Sequence, residues 1–395
     1  MMKKLWSLLA TVVLVASCAG ANSESGGGGN GQVQQALVTC PTPAQLDTDL
    51  TAASQGDVLN LSGVDPLACP EIPMTQTWAG GSLIFSDSPE TVPTRGKLYE
   101  DSFPATSGTT YNRMWVYHVN GKASGKMKLA ILIKNTGTST GTLTIQKKGL
   151  AGPSTSFVTV GKLAFQRWEQ STAVTGVSVA AGATVRLDSA NFEQLFNPGY
   201  LMHGIYDISM TQSYKTTICA LDQNDNPLTV CPGLSVLARD VHDRGTFPNA
   251  DKIYDTQAGF AIDTIDGIQQ FPLNSDSASD PAAVGVDATD GTPMTLHGNI
   301  GVLYRIHLLN ASSDGQNVGF ILNPRGGYWG SAVYALPGLL PGGVFLTPAA
   351  SEGFSDNTKA CVEGRYTPGG GLTTWLQWMM TGGSNAPVRV LAVPH

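Results

Sequence analysis

The run Lys126 to Lys134 constrains the fold most, because Met127, Leu129, Ile131 and Ile133 alternate there with polar or small neighbours, among them Lys126, Lys128 and Lys134. Successive side chains of an extended chain point to opposite faces, so this run reads as a strand with one face toward a core and one toward water. Shorter alternations occur at Thr142 to Gln146, Thr184 to Asp188 and Pro387 to Val393, separated by turn clusters such as Asn135-Thr136-Gly137 and Gly369-Gly370-Gly371. Helical spacing is confined to Thr42 to Ala53 and one turn around Phe192 to Phe196. The expected class is all-β, with antiparallel sheets packed as jelly-roll or immunoglobulin-like sandwiches. Composition agrees, since 46 Gly and 23 Pro in 395 residues supply many turns. Charged residues make up only 13%, where about 25% is ordinary, which argues against long solvated helices and nucleic-acid-binding arms. A hydrophobic share of 42% is enough for a core.

The first residues have a different character. Lys3 and Lys4 precede a short apolar run from Leu5 to Ala16, and Val15-Ala16-Ser17-Cys18 follows. A membrane span needs about 20 apolar residues, so a basic start, a short apolar stretch and small residues read as an export signal. A Cys after two small residues resembles the lipobox of bacterial lipoproteins, which implies residues 1–17 as leader and Cys18 as the lipidated first residue. Residues 18–36, with Gly26 to Gly29 and Gly31, read as a flexible tether holding the body a few nanometres from a membrane. The resemblance implies an envelope position, and Ala19 after the Cys implies the outer membrane or cell surface. Removing the leader takes away two lysines and no acid, shifting net charge from −7 to −9. Such a body offers no basic stripe to nucleic acid or anionic lipid.

Five cysteines remain, and in an exported chain they are expected to pair where geometry allows. Cys219 and Cys231 flank two short apolar stretches around Asp222 to Pro227, which reads as a disulfide-closed hairpin. Cys40 and Cys69 can close the first segment of the body, leaving Cys361 as a buried thiol. A weak internal repeat matches Val116-Tyr117-His118-Val119-Asn120 and Leu129 to Ile133 with Ile306-His307-Leu308-Leu309-Asn310 and Val318 to Leu322. It predicts two tandem sandwich modules, residues 37–230 with an N-terminal extension and residues 231–395. The alternative is that any two alternating hairpins look alike.

Candidate sites are few. His118 and His307 lack neighbouring ligands at metal spacing and read as hydrogen-bonded strand histidines, so no metal or cofactor is implied. Asp222 to Asn226 opens like a calcium loop, but Pro227 and Gly233 stand where Gly and a carboxylate are needed, and a plain turn is the better reading. Asp276 to Asp280, with Asp287 and Asp290, reads as an exposed acidic loop. The densest polar stretch holds His242, Asp243 and Arg244, which suit acid/base or carboxylate-clamp chemistry, or a structured loop with Arg244 paired to Asp243 or a buried carbonyl. No G-x-S-x-G elbow accompanies it, and no catalytic residue is assigned. Arg325, Tyr328 and Trp329 lie on a Gly-rich loop where aromatics would stack on sugar rings, or instead plug the end of a sandwich.

Gly149 to Ser154, Arg244 to Ala250, Asn323 to Gly327 and Gly382 to Val388 together resemble a poorly characterised group of secreted bacterial β-rich surface proteins, some called copper amine oxidase-like. The resemblance covers most of the chain from about residue 95 onward and implies an exported surface protein with no established reaction. The oxidase chemistry does not carry over: the chain has no Asn-Tyr-Asp or Asn-Tyr-Glu cofactor motif and no His-x-His copper pair. The expectation is a surface-anchored lipoprotein working in binding, adhesion or envelope structure, with a glycan or surface-protein partner. A hydrolase acting on surface polysaccharide or peptide is the alternative.

Overall fold

The computed structural model describes residues 40–106, 109–174, 176–256, 266–308, 315–335, 339–340, 343–366 and 374–395. Cys18, the leader and the tether lie outside the described residues.

The chain is mostly β. Counted over the described residues, the strands form sheets of nine, four, six and six. The nine-stranded sheet runs in the order Thr292–Leu296, Ala283–Asp287, Arg244–Phe247, Leu83–Ser86, Asn112–Asn120, Leu201–Met210, Gly141–Ser154 and Val177–Val179, with Thr91–Val92 beside Asn112–Asn120. Its four-stranded partner runs Thr184–Arg186, Met127–Asn135, Tyr214–Asp222 and Gly96–Phe103. Met114, Val116 and Ile208 of the larger sheet share a buried cluster with Leu129, Ile131, Ile133 and Ile218 of the smaller, so the alternation in Met127 to Ile133 faces the core as expected. The opposite face of that strand is covered too. Ala130 and Leu132 are packed by the short segment after Pro227, held by the Cys219–Cys231 disulfide.

The second stack consists of two six-stranded sheets. One runs Met74–Ala79, Asp251–Thr256, Leu303–Leu308, Thr374–Met379, Ser331–Ala335 and Gly343–Thr347. The other runs Val58–Asn60, Lys359–Tyr366, Val318–Pro324, Val388–Pro394 and Gln269–Leu273, with Leu339–Leu340 beside Lys359–Tyr366. Between them lie Ile306, Leu376 and Trp378 from one sheet and Phe320, Leu322 and Val390 from the other, each worth roughly 1.5–3 kcal/mol when fully buried. The helix Ala44–Ala52 seals the far face through Leu46 and Leu50 against Ile321, Leu391 and Val393, and the Cys40–Cys69 disulfide anchors this N-terminal segment. Cys361 is a buried free thiol.

The two stacks follow one plan. In each larger sheet a parallel pair, Leu83–Ser86 with Asn112–Asn120 and Asp251–Thr256 with Leu303–Leu308, is continued by antiparallel strands in the same order. Strands from before residue 230 nevertheless complete sheets built after it. Met74–Ala79 is antiparallel to Asp251–Thr256, while Arg244–Phe247 is antiparallel to Leu83–Ser86. Met74–Ala79 thus forms the edge of a sheet built after residue 230, whereas Arg244–Phe247 lies inside the nine-stranded sheet with Ala283–Asp287 and Thr292–Leu296 beyond it, and a cut at residue 230 leaves neither sheet whole.

Two further differences from the sequence reading have local causes. Aligning His118 with His307 puts the repeat out of phase: His118 lies on the inner face with Met114 and Val116, whereas in the second stack Tyr304, Ile306 and Leu308 face inward and His307 faces out. A one-residue slip in a strand reverses every side chain, so residue identity at one position misled the register. The helix Phe157–Gln170, the longest among the described residues, falls where no helical spacing was read. Its buried Val158, Gly161, Phe165 and Trp168 do follow helical spacing, but Gly161 leaves a gap in the apolar stripe. A Cβ at Gly161 would come 2.4 Å from the Gly382 carbonyl oxygen, so contact with the neighbouring backbone explains the glycine.

Candidate functional site

The sequence placed His242, Asp243 and Arg244 side by side; the fold sends them in three directions. Arg244 enters the nine-stranded sheet at Arg244–Phe247 and turns inward, where Nε and Nη2 donate to Asp287 at 3.0 and 2.9 Å. Nη1 donates to the carbonyls of Ser88, Leu98 and Leu237, so the guanidinium is a fully used internal staple. Asp243 accepts from the His297 backbone N–H at 2.9 Å. His242 sits at the surface between Asp240, 3.1 Å from Nδ1, and Glu90, 3.5 Å from Nε2.

Around His242 the structure assembles carboxyl groups that the sequence scatters over 150 positions. Asp240 accepts from Ser88 Oγ and from the backbone N–H groups of Glu90 and His242, each at 2.9 Å. Burial works against its ionised form, but these donors and the imidazole hold Asp240 below the usual carboxylate range. Asp87 beside it is buried, and its Oδ1 has no hydrogen-bond partner. Burial first, and then Glu90, Asp240 and Asp243, push its carboxyl well above the ordinary value. The two carboxyl groups are thus shifted in opposite directions, Asp87 upward and Asp240 downward. No spacing in the sequence announces Asp87 or Asp240, because the group depends on a contact between residues 87–90 and 240–243.

The second candidate group also divides. Trp329 is fully buried, stacked on Trp378 at 5.4 Å and edge-on to Phe354, so it plugs the second stack and offers no face to a ligand. Tyr328 is 40% exposed. Arg325 lines an open cleft of about 520 Å³ together with Asn60, Asp65, Asn357 and Thr358. Its guanidinium has no ion pair or hydrogen bond recorded among the described residues, whereas Asp65 caps the short turn Pro66–Ala68 by accepting from Leu67 N–H. The cleft thus offers cationic and anionic groups, amides and a hydroxyl on a surface edged by Val64 and Pro66.

His118 and His307 are held by hydrogen bonds within the sheets. His118 contacts Ser86 Oγ at 2.9 Å and the Pro89 carbonyl at 2.8 Å, and burial lowers its pKa to about 4. His307 pairs with Asp255 at 2.6 Å and stacks on Trp375 at 4.0 Å. Among the described residues no three His, Cys, Asp or Glu side chains form a group able to hold a metal ion. In the calcium-like loop Asp222 is paired with Lys122 at 2.6 Å and Asp225 with Arg95 at 3.3 Å. The acidic loop is only partly exposed, since Asp280 is buried completely. Compared with known proteins, the chain matches no family model and no curated protein.

Proposed function

We propose that the protein is an exported, lipid-anchored component of the cell envelope that works by binding, and that the cleft around Arg325 takes a hydroxyl-rich ligand such as a glycan. The observation that carries this reading is the cleft itself: an unpaired guanidinium, a carboxylate and two amides offer both donors and acceptors without the net charge that would select an ion. The leader, Cys18 and the tether support the envelope position, and the low charge of the body suits a neutral ligand. The matched order of the two stacks supports a duplicated β-sandwich whose halves have exchanged strands. The resemblance to secreted β-rich surface proteins belongs to the same reading.

A glycan array tests it, with Arg325→Ala and Tyr328→Ala as variants. The wild type is expected to retain a defined glycan set, Arg325→Ala to lose it, and Tyr328→Ala to weaken it. A wild type that binds nothing on the array removes this ligand class. Fatty-acid labelling of the wild type but not of Cys18→Ala tests the anchor.

One observation favours a hydrolase as second reading: the carboxyl groups of Asp87 and Asp240 lie together with their pKa values shifted apart, and His242 sits between Asp240 and Glu90. Hydrolysis of a surface polysaccharide or peptide that stops in Asp87→Asn would put this group ahead of the cleft.

A further inference from the structure

The second stack contains a lysine and an aspartate that no part of the binding surface uses. Lys252 is the second residue of Asp251–Thr256, where its register partners Trp78 and Tyr304 share its face. Asp280 reaches in from the loop between Gln269–Leu273 and Ala283–Asp287. Neither side chain has any exposed surface, and Lys252 Nζ lies 2.5 Å from Asp280 Oδ1, closer than the usual 2.7–2.9 Å of a charge-assisted hydrogen bond. The surroundings are aromatic: Nζ is 4.6 Å from the Trp78 ring centre and 5.6 and 5.8 Å from those of Tyr254 and Tyr304.

We propose that Lys252 and Asp280 condense to an intramolecular amide, a covalent cross-link between a central strand of the second stack and the loop that crosses it. Removing an ammonium from water costs several kcal/mol, which favours the neutral amine at Lys252, the nucleophile of amide formation. Its electrophile, the Asp280 carboxyl group, is held against it without solvent. Burial lowers the Lys252 pKa, against the opposing pull of Asp280.

The polar groups around Asp280 match each stage of that reaction. Oδ2 accepts from the Ser275 N–H at 3.0 Å, and the Tyr304 hydroxyl lies 3.1 Å from both Oδ2 and Oδ1, so two donors face the carboxyl group where negative charge develops as Nζ adds to Cγ. Oδ1, on the lysine side, accepts from the Tyr254 hydroxyl at 2.7 Å, a donor to the departing oxygen. The Nζ–Cγ bond forms and the Cγ–Oδ1 bond breaks. Oδ1 leaves as water with the carboxyl proton and one amine proton, and no electrons change hands. Oδ2 becomes the amide oxygen and keeps both donors, while the remaining N–H keeps the Pro281 carbonyl, now 2.9 Å from Nζ. The loop is held in place at a conformational cost: Asn274 and Asp276 have φ of 57° and 51°, and Asn299, which donates to Pro281 O and Tyr304, has 45°. Backbone strain of this kind clusters where geometry serves chemistry.

Digestion with trypsin under denaturing conditions tests the proposal on the full chain. Between Arg244 and Arg305 the only cleavage site is Lys252. A cross-linked chain therefore gives one peptide, Gly245 to Arg305, lighter than its sequence by one water. Asp280→Ala is expected to restore cleavage after Lys252 and full mass. Asp280→Asn should reach the wild-type product by losing ammonia instead, and Tyr254→Phe should leave a smaller cross-linked fraction. Wild-type protein that yields Gly245 to Lys252 and Ile253 to Arg305 as separate peptides of full mass overturns the proposal, and leaves the reading of the Arg325 cleft untouched.

Discussion

The two stacks place polar groups on the inner face of equivalent parallel strand pairs and resolve the cost differently. In the first, His118 is kept neutral and touches only uncharged partners, Ser86 and the Pro89 carbonyl. In the second, Lys252 and Asp280 face each other inside an aromatic cage. A neutral hydrogen-bonded group is cheap to bury, whereas two facing charges must be paired or chemically removed. One topology therefore tolerates two chemistries, and the contrast teaches that the strand order does not fix what the core contains.

The largest way to break the contrast is to strand one partner. Asp280→Ala should cost at least roughly 3–5 kcal/mol in urea unfolding, because the lysine stays buried without its partner, and the double substitution Lys252→Met with Asp280→Leu should recover the part due to the stranded amine but not the part due to the lost cross-link. Next come opposite responses to pH. His118 and His203 of the nine-stranded sheet have pKa values lowered by burial to about 4, so their contribution is present above the ordinary 6.5 and lost as pH falls through 4. Each is worth about 3 kcal/mol over that window, and His118→Gln should remove its share from an acid titration of stability. Glu363 in the second stack behaves in the reverse sense. Burial raises its pKa to about 8, so its contribution is present below 4.5 and lost as pH rises through 8; Glu363→Gln should flatten that alkaline decline. Stability curves with no acid or alkaline difference between variant and wild type would dissolve the comparison. The smallest effect belongs to the thiols, where denatured, unreduced protein should show one reactive thiol per mature chain, Cys361, at no cost to stability.

Much of the architecture was legible because local pattern and burial agree. Met127 to Ile133 shows its period in the sequence and in the core, and both disulfides join cysteines within a short stretch of chain. What escaped the sequence depends on distant residues. Arg244 reads in the sequence as reactive or as a loop arginine paired to Asp243 or a buried carbonyl, and of its partners only the carbonyls were foreseeable, since Asp287 comes from a distant strand. Trp329 looked like a binding platform until Trp378 covered it. Asp280 looked exposed among serines and aspartates, since acidic loops normally are, and only the facing Lys252 reveals its burial. That lysine carried a signal of its own: in Lys252-Ile253-Tyr254 it shares a face with a core tyrosine.

The exchange of Met74–Ala79 and Arg244–Phe247 between the large sheets has a consequence for any attempt to divide the molecule. A fragment ending at residue 230 would leave Leu83–Ser86 as an open sheet edge and Met74–Ala79 without a host, and the remaining fragment would carry the complementary defect. Open edges pair with whatever strand arrives, so separated halves should recombine with each other or seize the matching strand of a second molecule, turning an internal crossing into an intermolecular one.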